Sequence, residues 1–240
     1  MYKVEKVKSK KTVSIVVPLH NKESNIESTI SLIIKSILFK EIQLIVVEND
    51  SSDNSKKIAI ETINKYKQQF DVSLYESKKG LGNALIEGLK HCKHEWIYIV
   101  PADFSFGTSD IAYVEKNKLW DNFDLFIGSK GHKESQINRT ISRKMYSKIF
   151  NILLRVNFGI PFKDTQGTII FKKNILDQIN KLENEEFLVT TELIVKAFKK
   201  NKKISEIPVK ELATETQSTV KPFKDGIKML INIFSLKRNS

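Results

Sequence analysis

Four short apolar runs, separated by segments of helical period, dominate the first half of the chain. They are Thr12 to Leu19 (TVSIVVPL), Ile42 to Val47, Val72 to Tyr75 and Trp96 to Val100. Each is too short for a helix, and their Val and Ile content reads as strands buried on both faces. Between the first two, Ile26, Ile30, Ile33, Ile34 and Ile37 fall on one helical face. Ile58, Ile60 and Ile63 follow in a helix running to about Tyr66, and Lys79 to Cys92 makes a third helix opened by Gly80-Leu81-Gly82. A β-α-β-α-β-α-β order requires right-handed crossovers, hence a parallel sheet with helices on both faces. In such open sheets ligands sit beyond the carboxyl ends of the strands. Three of these four ends are polar: Pro18 to Asn21, Glu48 to Asp53, and Asp103, delivered by an apolar strand through Pro101-Ala102.

The second half is less regular. Phe123 to Ile127 reads as a fifth strand ending in Gly128-Ser129-Lys130, and Lys130 to Asn138 as a mobile polar loop. Arg143 to Val156 reads as a helix with Met145, Ile149, Ile152 and Leu153 on one face. Asp164-Thr165-Gln166-Gly167 leads into a strand from Thr168 to Phe171. A helix from Phe187 to Phe198 and a strand from Ile204 to Val209 complete the pattern. Thr214 to Pro222 is polar, and Phe223 to Leu236 is amphipathic with flanking lysines. The expected organisation is a basic N-terminal extension (1–12), one α/β domain (13–212) and an amphipathic basic C-terminal extension (213–240).

Composition narrows the function. The single cysteine, Cys92, rules out a disulfide framework within the chain and fits a reducing compartment. No run approaches the roughly 18 apolar residues of a membrane span, and the basic start MYKVEKVKSKK has no leader-type apolar stretch behind it. A soluble or peripheral protein is expected. The net charge of +12 favours anionic partners: a membrane surface, a phosphorylated substrate or nucleic acid. Scattered lysines without any recognisable nucleic-acid-binding motif argue against the last.

Individual motifs point to a phosphate-bearing ligand. The Gly80-x-Gly82 pair follows the third strand rather than the first, and Leu85 takes the place of a third glycine. It therefore reads as a tight helix entry, not a dinucleotide fingerprint. Glu48, Asn49 and Asp53 can cap the following helix or hydrogen-bond a base and ribose. Asp103 can ligate a hard divalent cation bridging a diphosphate, a task that needs only one or two protein carboxylates. Lys130 and Arg143 can neutralise phosphates. Glu192, among Leu188, Leu193 and Val195, must be paired with a base or placed at a site.

In order and spacing these pieces resemble the family 2 inverting glycosyltransferases of GT-A fold, and among them the polyprenyl- (dolichyl-) phosphate mannosyl- and glucosyltransferases. Ser14 to Asn21 is similar to that family's opening strand and P-x-Y-N-E turn, and Val46 to Asp53 to its V-V-D-D-G-S-x-D segment. Lys79 to Ala84 resembles a G-x-G-x-A helix start, and Pro101-Ala102-Asp103-Phe104-Ser105 a D-A-D-x-S motif. Further along, Gly128-Ser129-Lys130 resembles G-S-R, Arg143, Ser147 and Asn151 an R-x-x-x-S-x-x-x-N helix, Asp164 to Gly167 a D-T-Q-x-G segment, and Ile207-Pro208-Val209 an I-P-V strand.

The resemblance implies a single-domain α/β GT-A (Rossmann-like) fold with a mostly parallel sheet. It implies transfer of a sugar from a UDP- or GDP-sugar to a polyprenyl phosphate at the cytoplasmic face of a membrane, by a peripheral enzyme with a possible membrane-protein partner or homo-oligomer. Pro18, His20, Glu48 and Asp53 would surround the base and ribose. Ala102 and Asp103 would meet ribose and diphosphate, with Asp103 holding Mg²⁺ or Mn²⁺. Lys130, Arg143, Ser147 and Lys221 would face phosphates of donor or acceptor, and Glu192 would lie near the sugar, so that Asp103, Arg143 and Glu192 form the expected catalytic set. The chain departs from the pattern at Pro101, which replaces the first Asp of the metal motif and cannot ligate through its side chain. It departs again at Lys22 for Glu and Lys130 for Arg. Two alternatives follow. One is a glycan-hydroxyl acceptor, which would need Glu192 or Asp164 as general base. The other is a non-catalytic relative that binds nucleotide-sugar.

Overall fold

The computed structural model describes residues 4–138 and 141–212, with the backbone alone at 141–144 and 146–148. The expected C-terminal extension, and Lys221 within it, lies outside the described residues. Seven strands form one sheet. They are β1 (Val7–Leu19), β2 (Ile37–Glu48), β3 (Asp71–Glu76), β4 (Trp96–Ile99), β5 (Leu125–Ser129), β6 (Ile169–Lys172) and β7 (Ile204–Pro208), in the order β3-β2-β1-β4-β6-β5-β7. All neighbours pair in parallel except at β6, which runs antiparallel to both β4 and β5. One edge of the sheet therefore collects the carboxyl ends of six strands and the amino end of β6.

Helices cover both faces. Val13, Ile15, Val17 and Leu19 of β1 pack on one side against α1 (Ile26–Ser36), α2 (Ser55–Tyr66) and α4 (Ser109–Lys116). Val16 points to the other, where α3 (Leu81–Lys90), α5 (Ile141–Phe158), the short α6 (Ile175–Gln178) and α7 (Val189–Lys199) lie. This double cover is why the strands read as unbroken apolar runs instead of alternating ones. Each fully buried Val, Ile or Leu contributes about 1.5–3 kcal/mol. A Cβ added at Gly88 would come 2.5 Å from Val16 Cγ1, so glycine there lets α3 lie close to the sheet.

Several boundaries differ from those expected. β1 begins at Val7, inside the segment expected to be an extension, because Val7 to Ser9 pair with Ile37 to Phe39 and bury Val7, Ile37 and Phe39. Ile37, expected on the apolar face of α1, instead opens β2. Its backbone is extended while its N–H still reaches the Ile33 carbonyl. A run of Ile and Leu satisfies either period, and the sheet decides between them. Helices α4 and α6 were not expected; only Ile111 and Val114 mark α4 with helical spacing. In α5 most of the expected apolar face is turned outward, although Leu153 packs against the core. Met145, Ile149 and Ile152 are 57%, 51% and 47% exposed, whereas Leu154 and Phe158 enter the core. The helix carries apolar residues on two sides, and periodicity alone does not say which side the core takes. The stretch from Lys130, expected to be mobile, is hydrogen-bonded to the C-terminal strand through Gln136 N–H to the Val209 carbonyl and Glu211 N–H to the Gln136 carbonyl.

Beneath the polar edge lies a fully buried network. Asp110, in the first turn of α4, accepts hydrogen bonds from Tyr98 Oη (2.6 Å), the Ile111 N–H (2.7 Å) and Thr168 Oγ1. Burial pushes its carboxyl up despite these donors, and burial likewise raises the Tyr98 phenol. The network ties α4, β4 and the entry to β6 together. Truncation strands two buried hydroxyls, so Asp110→Ala is expected to lower the urea-unfolding free energy by about 2–4 kcal/mol. Asp110→Asn, which keeps the shape and one acceptor, is expected to lose less than half of that in the same measurement.

Candidate functional site

Two loops at the carboxyl edge are stitched to each other. His20 follows β1, and its Nδ1 lies 2.6 Å from the Asn49 carbonyl oxygen. A carbonyl only accepts, so Nδ1 carries the proton and Nε2 is left to accept from Asn21 Nδ2 at 3.2 Å. Asn21 adopts φ 49°, a left-handed conformation that asparagine tolerates, and its Oδ1 accepts the Ser52 N–H. Glu48, buried at the end of β2, accepts the Ser51 N–H at 2.6 Å.

Asp53 bridges the same loops. Its Oδ1 accepts the Ser55 N–H and its Oδ2 the Glu23 N–H. Burial raises its pKa, but the Ser55 hydroxyl and the Ser55 and Glu23 N–H groups outweigh that and hold it below the ordinary value of 3.8. In this arrangement Asp53 is a loop brace, and the carboxylate nearer the strand end is Glu48.

The Pro101 to Ser105 turn is built to present one carboxylate. The Phe104 N–H donates to the Pro101 carbonyl, and the Ala102 carbonyl accepts from Thr29 Oγ1 of α1 at 2.8 Å. Phe104 has φ 47°, uncommon for a bulky residue, and its ring is buried in the core. That anchor leaves Asp103 part-exposed. Its Oδ1 accepts the Ser105 N–H at 3.1 Å, and its Oδ2 has no partner among the described residues. No group of three or more His, Cys, Asp or Glu able to hold a metal occurs among the described residues.

Across the reversed strand, Lys130 meets Asp164. The Lys130 ammonium lies 3.3 Å from Asp164 Oδ2 and donates to the Gln166 carbonyl at 2.8 Å, while the Lys130 N–H also donates to Asp164. Both side chains are largely buried. Lys130 is thus held within the protein, not displayed as a free cation. Beside it, Gln166 Nε2 is a buried donor with no hydrogen-bond partner among the described residues. Gly128 and Gly167 allow this close packing, since a Cβ on Gly167 would fall 1.8 Å from the Gly128 oxygen.

Glu192, expected near the sugar, is fully buried in α7. Its oxygens accept the Glu183 and Asn184 N–H groups and lie 2.6 Å from the Lys196 ammonium. It is a clamp inside the protein, out of reach of solvent. Arg143 and Ser147 lie in α5 where only the backbone is described. Pro18 is the penultimate residue of β1, two residues before His20. Sequence reasoning missed Asp110 and the unpartnered Gln166 amide. The first lies in α4, which was not expected; the second was visible only as part of a motif. A cavity of about 480 Å³ lined by His94, Glu95, Lys172 and Asp177 opens at the opposite edge of the sheet, away from all these groups.

The family model for glycosyl transferase family 2 matches residues 14–180. The chain belongs to glycosyl transferase family 2. The family 2 chain is 24% identical over 239 residues to a dolichyl-phosphate beta-glucosyltransferase of Trichomonas vaginalis, covering 93% of this chain and 72% of that one. It is 27% identical over 202 residues to a dolichol-phosphate mannosyltransferase of Pyrococcus furiosus, covering 82% of this chain and 55%, about half, of that enzyme. In structure it resembles glucosyl-3-phosphoglycerate synthase of Mycobacterium tuberculosis, solved with Mn²⁺, UDP and phosphoglyceric acid, with TM-score 0.67 and 16% identity over 94% of this chain and 77% of that one. The fold is GT-A, and the protein is a glycosyltransferase.

Two outcomes test these assignments. Asp53 has a lower pKa folded than unfolded, so its contribution to stability is complete above the unfolded value and is lost as pH falls through the folded one. Asp53→Asn is therefore expected to flatten the fall in stability between about pH 5 and 2, followed by denaturant unfolding across that range. Lys130→Met breaks a buried pair and is expected to cost about 3 kcal/mol. Lys133→Met, at a side chain 82% exposed, is expected to stay within about 0.5 kcal/mol by the same measurement.

Proposed function

We propose that this family 2 glycosyltransferase moves a sugar from a nucleotide-sugar to a polyprenyl phosphate, with inversion at the anomeric carbon. The observation that carries this reading is the state of two carboxylates. A hydroxyl acceptor would need a general base, and Glu192 and Asp164 were the candidates. Glu192 is sealed in α7 and Asp164 is engaged by Lys130 and by backbone N–H groups. A phosphate acceptor is already ionised near neutral pH and needs no base. The two dolichyl-phosphate relatives support the same acceptor class.

In this reading Pro18, His20 and Glu48 line the base and ribose, and Ala102 and Asp103 meet the ribose and diphosphate. The Gln166 amide offers an unpaired donor to an anionic group. Arg143, Ser147 and Lys221 attend the phosphates, while Lys130 stays engaged by Asp164 and the Gln166 carbonyl. The residues fit a divalent cation carried by the donor's diphosphate. Asp103 has a carboxylate oxygen without a partner among the described residues, Pro101 offers none, and a metal bound through substrate phosphates needs only one or two protein carboxylates. Such a cation, Mg²⁺ or Mn²⁺, would offset charge on the leaving diphosphate. The chain's own task is alignment, holding the acceptor oxygen on the face of the sugar opposite the leaving group.

The same reading places the enzyme peripherally on a membrane. No helix among the described residues is long and apolar enough to cross one. Yet α5, which carries Arg143 and Ser147, also exposes Met145, Ile149, Ile152 and Val156 in a chain of net charge +12. An apolar stripe with basic surroundings suits an anionic lipid surface. Purified protein with labelled UDP- and GDP-sugars, polyprenyl phosphate and Mg²⁺ or Mn²⁺ is expected to yield labelled lipid, and Asp103→Asn to lower kcat about 10²–10³-fold. Label appearing on a water-soluble glycan instead, or on no lipid with any donor, would refute the proposal.

A further inference from the structure

We propose that Glu192 is a positioning residue for the donor nucleotide, acting through the backbone that walls its pocket. The inference rests on the reading above that His20 faces the donor's nucleotide.

A fully buried carboxylate must be compensated, and Glu192 is compensated in a particular way. Its partner Lys196, also buried, donates to the Lys181 carbonyl at 2.7 Å, while Glu192 takes the N–H groups of Glu183 (3.0 and 3.1 Å) and Asn184 (2.8 Å). Both members of the pair thus grip the same four-residue stretch, 181–184. That stretch is pressed onto the start of α3. A Cβ on Gly82 would lie 1.9 Å from the Asn184 carbonyl oxygen, one on Gly80 would lie 2.3 Å from that of Glu185, and the Asn83 N–H donates to Glu185 at 3.2 Å. Gly80 is locked in turn by the Asn49 side chain, which accepts its N–H at 3.0 Å and donates to its carbonyl at 2.7 Å. The Asn49 carbonyl then holds His20. Hydrogen bonds, close backbone packing at Gly80 and Gly82, and the intervening chain thus connect the buried ion pair to a donor-facing side chain.

A buried ion pair is weak evidence for a stabilising role, because apolar residues of similar volume often serve stability as well or better. What apolar residues cannot supply is the hold on two backbone N–H groups, those of Glu183 and Asn184, and on the Lys181 carbonyl. Stability and positioning are therefore separable. The double replacement Glu192→Met with Lys196→Met removes both charges together and leaves no stranded ion.

The test measures UDP and GDP affinity, each with Mg²⁺, by calorimetry on the full chain, alongside thermal unfolding and steady-state kinetics. The double variant is expected to unfold within a few degrees of the native protein, to bind nucleotide at least tenfold more weakly and to raise the donor KM while leaving the acceptor KM unchanged. Adding His20→Ala to it is expected to weaken binding no further than the larger single effect, as two changes on one path should. A folded double variant with native nucleotide affinity would overturn the proposal. If it fails to fold, Gly82→Ala, which drives a methyl against the Asn184 carbonyl, carries the same expectation and the same refutation. Native affinity in His20→Ala alone, or no binding of either nucleotide by the native chain, would sink the underlying donor-site reading. A loss in His20→Ala with none in the double variant would sink only the role of Glu192.

Discussion

A strand hydrogen-bonded in parallel on both sides cannot slide. β1 pairs with β2 from Val7 to Leu19 and with β4 from Val13 to Val16, and those registers fix where both neighbours end. Leu19 lies opposite Glu48, and Val100 donates back to Val16, so the His20, Glu48 and Asp103 loops leave the sheet along a common edge. A shift of one residue would turn every buried Val and Ile of β1 to the wrong helix layer. The packing of the core and the assembly of the polar edge follow from the register that β1 holds from Thr12 to Leu19, beyond a shift between Ser9 and Thr12.

The reversed strand β6 does what a parallel strand could not. A parallel strand between β4 and β5 would bring its carboxyl end to the polar edge. β6 brings its amino end instead, and with it Asp164, Thr165 and Gln166. This sets the Lys130–Asp164 pair at the same edge of the sheet as the Asp103 turn. The Tyr98–Asp110–Thr168 network joins the two from below, because Asp110 stands at the start of α4 and Thr168 at the entry to β6.

Polar groups in this edge are mostly spent on one another. Asn49, Asn21, Asp53, Lys130 and Glu192 all hold backbone, and each satisfies a donor or acceptor that would otherwise be stranded where the sheet ends. Against that background a few groups at this edge have no hydrogen-bond partner among the described residues: one oxygen each of Glu48 and Asp103, and the Gln166 amide. A site for a charged ligand needs a rigid frame with a small number of unsatisfied groups, and this edge has that form. Its glycines serve the frame, admitting the 183–185 backbone over α3 and the Gly128–Gly167 contact, with no sign of a phosphate cradle at Gly80 and Gly82.

The sequence by itself determined the alternating architecture, because strands covered on both faces must be short and wholly apolar, and helices between them must repeat at 3.6 residues. It also placed Glu48 and Asp103 at strand ends, since an apolar run stopping at an acid has one physical reading in a parallel sheet. The order and spacing of its motifs carried the family. Three things were left to the tertiary structure. Whether Ile37 belonged to helix or strand depended on a partner, Val7, thirty residues earlier. Which face of α5 met the core depended on the sheet beneath it, for both faces are apolar. Whether Lys130 and Glu192 were ligand-binding groups or internal clamps depended on Asp164 and the 181–184 backbone, brought to them only by folding, although Lys196 stands one helical turn from Glu192. Residue type and local period report burial and conformation, and i,i+4 spacing can offer a partner such as Lys196, but Asp164 reaches Lys130 across 34 residues of sequence and no local pattern encodes that contact.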